Sequence, residues 1–270
     1  MNRTGLFIVL ALWLVIALVF GIFPELDLKL AALFYDRETA SFPLQHNWLA
    51  RVARDGAMYI AWAFVLPSII AVIAKLIRPG RRLLVPGRAA VFLIITMILS
   101  AGVLTNFSFK AFWGRPRPVA VSEFGGANHF VAWWDPRGEC KRNCSFFSGE
   151  GATSFWTLAP AALAPPQWRL PAYGAAIVFG TVTSLLRMAF GGHFFTDVAF
   201  AGLASFTVIW LCYALMYRWR REAFSNEAVE RWLSSRARGA RRKKASGTDT
   251  AESGALEQDG AEASEARTGA

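Results

Sequence analysis

Charge is scarce in this 270-residue chain: Asp, Glu, Lys and Arg together make up 18%, where a soluble domain carries about a quarter. That shortfall excludes an ordinary soluble surface. Cysteine is scarce too, and three residues cannot build the framework of a small disulfide-stapled domain. Acidic residues number 19 against 29 basic ones, a formal charge of +10. No repeat of solenoid period runs through the chain. What is abundant is apolar: 54% hydrophobic residues, 11 of the chain's residues being Trp. That much apolar surface needs lipid, or a very large core, to cover it, and it excludes disorder for most of the chain.

The apolar residues are clustered. Leu6–Phe23, Ala57–Ala74 and Ala89–Phe109 carry no charge over 18, 18 and 21 residues. Each is long enough to cross a hydrocarbon core of ~30 Å at ~1.5 Å per residue. Gly151–Pro165, Leu170–Leu186 and Val198–Tyr217 follow, the first of them short and interrupted by Pro160. The pattern predicts an all-α, polytopic membrane helical bundle of about six transmembrane helices. The first run exceeds the ~7–15 residues of a signal-peptide core, and Gly21-Ile22-Phe23-Pro24 is a poor cleavage site, so it reads as a retained anchor.

Lys and Arg set the orientation. Arg3, the Arg78/Arg81/Arg82/Arg88 loop, Arg169 and the C-terminal segment fall on one side, which places both termini in the cytoplasm. Three regions follow: a membrane domain over 1–217, a basic juxtamembrane segment over 218–244, and a tail over 245–270. The juxtamembrane segment carries ten basic residues against three acidic ones. Basic charge alone would suggest nucleic acid, but beside a spanning helix it reads as contact with anionic lipid, not with nucleic acid. The tail has six acidic residues against Arg267 and no apolar periodicity, the signature of disorder.

An ionisable residue at the end of a spanning segment is costly unless used or paired. Lys110 ends the third run, Glu150 opens the fourth, Arg187 ends the fifth, and His193 and Asp197 open the sixth. Alternating helices bring all five to one surface, the outer one. Singly, each has an ordinary reading as a snorkelling helix end, a helix-start charge or a stiff polar loop. Together, Lys110, Arg115, Arg117 and Arg187 form a dense cationic group suited to phosphate oxygens. Ser148 and Gly149 let the backbone approach an anion. His193 and Asp197, four apart, share a helix face, and an aspartate accepting the Nδ1 proton would orient the ring as nucleophile or base. An anion cradle with an oriented histidine suggests phosphoryl transfer through a phosphohistidine.

These residues resemble the type-2 phosphatidic acid phosphatase superfamily, which spans lipid phosphatases and vanadium haloperoxidases. Its first motif is Lys, six residues, Arg-Pro, matched by Lys110 and Arg117-Pro118. Its third is Ser-Arg, five residues, His, three residues, Asp; Arg187, His193 and Asp197 match, with Leu186 in place of the Ser. Its second is Pro-Ser-Gly-His, of which Ser148-Gly149 is kept while Phe147 and Glu150 replace the Pro and His. The stretch from Cys140 to Glu150 is similar to lipid A phosphatase-type sequences.

The resemblance implies a lipid phosphatase of the bacterial inner membrane, with its active site facing the periplasm and a membrane lipid as substrate. Lys110, Arg117, Ser148, Gly149 and Arg187 would bind the phosphate. His193 would be the nucleophile and Asp197 its partner. No metal and no cofactor is implied. Where the family's second-motif His protonates the leaving oxygen, three sources stand open: Glu150 with a raised pKa, His129 of the same outer loop, or a leaving group that needs no help. Undecaprenyl diphosphate, phosphatidylglycerol phosphate and phosphatidate compete with lipid A as substrates. A phosphotransferase to a lipid acceptor and an inactive lipid-binding scaffold are the other readings. Cys140 and Cys144, four apart on an oxidising face, could close a disulfide just before Ser148.

Overall fold

The computed structural model describes residues 1–109 and 113–239. Among them there is no β-strand, only isolated bridges at Asp36–Ser41 and Val121–Asn128. The fold is helical: α1 (Arg3–Ile22), α2 (Glu25–Ala32), α3 (Trp48–Ile77), α4 (Gly87–Met97), α5 (Gly149–Phe155), α6 (Leu158–Leu163), α7 (Pro166–Ala189), α8 (Phe195–Ala214) and α9 (226–239). Among the described residues, four helices are long and apolar enough to cross a membrane: α1, α3, α7, and α8 with its continuation to Trp219.

The local reasons are simple. Asn2 caps α1 by accepting the Gly5 N–H at 2.9 Å, and Asn47 caps α3 by accepting from Ala50 at 3.0 Å. Pro166 starts α7, where a missing N–H costs nothing. Most of α1 faces outward: Phe7, Leu14 and Leu18 are exposed, as suits lipid contact. The core lies between α3, α4, α5–α6 and α8, around Val65, Phe92, Trp156 and Ile209. There the Trp156 Nε1–H donates to Thr96 Oγ1 at 2.9 Å, so the buried indole is satisfied.

Three predicted segments differ in detail. The third run is one continuous winding, α4 followed by a wider π-type stretch over Ile98–Phe109. The fourth is two short helices, α5 and α6, that break at Trp156–Thr157 and are enclosed by their neighbours. The predicted loop Pro24–Gly56 is largely helical: it holds α2 and the first two turns of α3. Asn47 supplies a cap well before the apolar run begins, so α3 starts early and carries Arg54 near its N-terminal end.

The basic segment is helical over 226–239. In α9, Val229, Leu233 and Ala237 are buried while Trp232 is exposed with Arg236 over its ring at 5.6 Å. Lys75, buried at the C-terminal end of α3, pairs with Glu230 of α9 at 3.3 Å. The predicted disordered tail, 245–270, lies outside the described residues.

Candidate active site

At the opposite end of the bundle, three chain segments meet: the loop after the third run, the loop entering α5, and the turn between α7 and α8. His193 stands in that last turn and is 2% exposed. Its Nδ1 lies 2.8 Å from the Ser145 carbonyl oxygen, so an Nδ1–H donates there and leaves Nε2 as the lone-pair nitrogen. Asp197 was the expected acceptor, but its Oδ2 is 3.8 Å from Nδ1. That carboxylate is already engaged: Oδ2 accepts from the Phe194 N–H at 2.7 Å and from the Ser145 hydroxyl, and Oδ1 accepts from Arg115 Nη1 at 2.5 Å. Burial lowers the His193 pKa to about 4, the Asp197 contact opposes it, and Arg187 and Arg117 add to the lowering. The ring is therefore neutral at physiological pH.

Arg187 ends α7 against the glycine turn. Gly191 takes a left-handed φ of +61°, and a Cβ on Gly192 would sit 2.5 Å from Arg187 Nη2. A bare backbone is required where the guanidinium lies. Arg187 Nε is buried, 3.2 Å from Glu150 Oε2 but without the alignment of a hydrogen bond. Arg117 is half-buried, with its Nε donating to the Asn143 carbonyl at 3.1 Å. Ser148 is fully buried; its Oγ caps α5 by accepting the Gly151 N–H at 3.1 Å, which leaves the hydroxyl hydrogen free to donate. The Ser148 N–H donates to the Asp197 backbone carbonyl at 3.1 Å, tying the second motif to the third. Lys110 lies outside the described residues.

Glu150 opens α5 beside these groups. Burial pushes its carboxyl up, but hydrogen bonds from Arg54 and the charges of Arg187 and Arg54 outweigh that, so its pKa sits below the ordinary value. Arg54 is the residue that sequence reasoning missed. It lies in a loop balanced by acids, and only its position less than one turn before the uncharged run at Ala57 hinted that α3 extends to include it.

Arg115 is a correction. It was grouped with the phosphate-facing cations, but it is fully buried between Asp27 and Asp197. Four of its five N–H donors go to Asp27, Asp197, Thr196 and Val131, and with no exposed surface the guanidinium cannot reach a substrate. His129 is exposed on the loop between Arg117 and Cys140, where its backbone N–H donates to Glu139 at 3.1 Å. Cys140 and Cys144 form a disulfide, with Cα atoms 5.7 Å apart, one residue before Ser145.

The model of the family described as PAP2 superfamily matches residues 89–221, the stretch that carries every one of these motif residues. A lipid A 4'-phosphatase of Francisella tularensis subsp. novicida is 35% identical over 207 residues, 74% of this chain and 90% of that protein. The chain belongs to the PAP2 superfamily. Within it, a lipid A 4'-phosphatase of Rhizobium etli is 29% identical over 214 residues, 73% of this chain and 81% of that protein. One of Rhizobium leguminosarum is 34% identical over 113 residues, 42% of this chain and 48% of that protein. No solved structure matches. As a PAP2 member with long apolar helices, the protein is a membrane phosphatase of the lipid-phosphate class.

Proposed function

We propose that this protein removes a phosphate monoester from a lipid A-type glycolipid at the periplasmic face of the inner membrane, through a phosphohistidine on His193. The observation that carries this reading is the His193 environment: a neutral ring with Nδ1 tied to a carbonyl, Nε2 free, and Arg187 and Arg117 facing it. Lys110, Arg117, Arg187, the Ser148 hydroxyl and the Gly149 amide hold the phosphate oxygens. Their charge complements the equatorial oxygens of the transition state.

In the first step the Nε2 lone pair forms an N–P bond and the ester P–O bond breaks. The leaving oxygen takes a proton from Glu150. Glu150 is ionised in the free protein, yet an arriving phosphate dianion competes for Arg54 and Arg187 and adds a like charge beside it. Both effects raise its proton affinity, so it picks up a proton from water as substrate binds. In the second step a water attacks phosphorus, gives its proton to Glu150, and the N–P bond breaks to release inorganic phosphate.

The substrate reading rests on the similarity to the two rhizobial and the Francisella lipid A 4'-phosphatases. The outer location rests on the basic residues of the opposite end and on the Cys140–Cys144 disulfide, which suits an oxidising compartment. The basic segment, with Trp219 and Trp232 exposed, then lies on anionic cytoplasmic lipid.

The deciding experiment treats purified protein with lipid A bearing both phosphates and reads the product by mass spectrometry, beside His193→Gln. Loss of one 4'-phosphate by wild type alone, with an acid-labile phosphoenzyme trapped in wild type, is expected. Equal release by the variant would sink the mechanism; release only from a diphosphate or a glycerophospholipid would replace the substrate.

A further inference from the structure

Three buried polar side chains take no part in that chemistry. Asp27 comes from α2, just after the first membrane helix. Arg115 comes from the loop that leads to Arg117, and Thr196 from the first turn of α8. Arg115 and Asp197 are 0% exposed and Asp27 is 1% exposed. Arg115 Nη2 donates to Asp27 Oδ2 at 2.7 Å, and Nη1 donates to Thr196 Oγ1 at 2.7 Å and to Asp197 Oδ1. Thr196 completes the ring, its N–H donating to Asp27 Oδ1 at 3.0 Å and its hydroxyl to Asp27 Oδ2 at 2.6 Å. The Arg115 plane is held over the Phe194 ring at 4.5 Å, its Nε donates to the Val131 carbonyl, and its own carbonyl accepts the Ser145 N–H at 2.8 Å.

Burial, with the Asp197 charge, raises the Asp27 carboxyl above its ordinary value against the pull of Arg115 and Thr196; yet both its oxygens receive donors and neither faces an acceptor, so Asp27 is ionised. The buried set then carries one guanidinium between two carboxylates, a net single negative charge. Its charged outlet toward the site is Asp197 Oδ2, which meets Ser145 and stands 3.8 Å from His193 Nδ1. Attack by Nε2 while Nδ1 keeps its hydrogen makes the ring cationic. A fixed single negative charge behind the ring favours that change. Two unshared carboxylates would favour it too early, by protonating the nucleophile; a neutral set would not favour it at all.

We propose that Asp27, Arg115 and Thr196 are positioning residues that fix the orientation and net charge of Asp197 and, through Asp197 and Ser145, tune the His193 nucleophile. The proposal rests on the phosphohistidine reading. Besides this network, the charged groups that face the ring are Arg187, Arg117 and Glu150. All three lie on the substrate side and are unchanged in the variants below.

The test is a charge cycle read on His193 itself. The chain has three histidines, so selective ¹⁵N-histidine labelling in detergent micelles, with H193Q for assignment, gives a ring titration. Asp27→Asn makes the set neutral and should lower the ring's proton affinity by about threefold or more; Arg115→Gln makes it doubly negative and should raise it as much. The double variant restores the single negative charge and should return the titration to within about twofold of wild type. In Asp27→Asn, kcat should fall about tenfold with KM within about twofold, the mark of a transition-state effect. Arg115→Lys keeps the charge but loses the fork, so it should keep the titration and lose part of kcat.

Simple structural damage would not move the ring in opposite directions. If Arg115→Gln does not fold, as judged by melting and size exclusion, Asp27→Asn decides alone. A folded Asp27→Asn with wild-type titration and kcat, beside an inactive H193Q, overturns this network and leaves the phosphohistidine standing. Full activity in H193Q overturns the phosphohistidine itself.

Discussion

Arg54 and Glu150, 96 positions apart in sequence, are joined by three hydrogen bonds: Arg54 Nε to Oε1 at 3.2 Å and to Oε2 at 3.0 Å, and Nη2 to Oε1 at 2.9 Å. Glu150 occupies the place where the family motif has a histidine. A carboxylate there adds negative charge where a phosphate must bind, and Arg54 supplies the opposite charge from the extended end of α3. Arg54→Gln should therefore raise KM by about tenfold, in line with one charged hydrogen-bonding partner. Combining it with Glu150→Gln should recover part of the loss, since a neutral amide needs no counter-ion. A double variant that binds worse than either single one would mean that Arg54 contacts the substrate instead.

Glu150→Gln by itself separates acid catalysis from charge balance. On a sugar phosphate, whose leaving oxygen needs a proton, kcat should drop by about a hundredfold or more. On p-nitrophenyl phosphate, whose leaving group needs none, the drop should be small. Wild-type turnover of the lipid substrate by this variant would remove Glu150 from the chemistry.

Gly192→Ala tests the bed on which Arg187 lies. The new methyl would meet Nη2 at 2.5 Å, and the guanidinium has to move. A displaced phosphate contact is worth about 1.5–3 kcal/mol, so kcat/KM should fall by ten- to a hundredfold while the melting temperature changes little. Gly21, which has open space around it, is the control position for the same substitution.

The low His193 pKa gives two signs. The nucleophile stays neutral down to about pH 4, so kcat/KM should show no acid limb at the ordinary histidine value of ~6.5. Stability behaves differently. As pH falls from ~6.5 toward about 4 the unfolded ring takes a proton that the folded ring refuses, so the folded state loses up to about 3 kcal/mol. Melting in detergent across that range should fall more steeply for wild type than for His193→Gln.

The Cys140–Cys144 disulfide closes a short loop directly before Ser145, whose carbonyl holds the His193 ring. Replacing both cysteines by Ser should cost about 2 kcal/mol by the chain-entropy rule for so short a loop, and should lower kcat because Ser145 is less well fixed. Alkylation of the unreduced protein should label Cys212 alone, the free cysteine among the described residues. Labelling of all three would show that the pair is reduced in the cell.

The order of polar residues along the chain was enough to determine much of this protein. Long uncharged runs can only be helices in lipid, because every backbone group must be satisfied within the segment. Alternating runs then force Arg117, Glu150, Arg187, His193 and Asp197 to one face, and the motif spacings give their family. The partners of those groups were not legible, because a pairing across a hundred residues leaves no local pattern. Arg54 and Asp27 look in sequence like ordinary loop charges; one is lifted beside Glu150 by an early helix cap, the other is carried inside by α2. Arg115 reads like Arg117 two places on, yet the chain's course buries the first between two carboxylates and leaves the second facing the histidine. Which carbonyl takes the Nδ1 proton, and whether Glu150 is charged, are settled by distances of a few ångströms between separate segments, and only packing sets those.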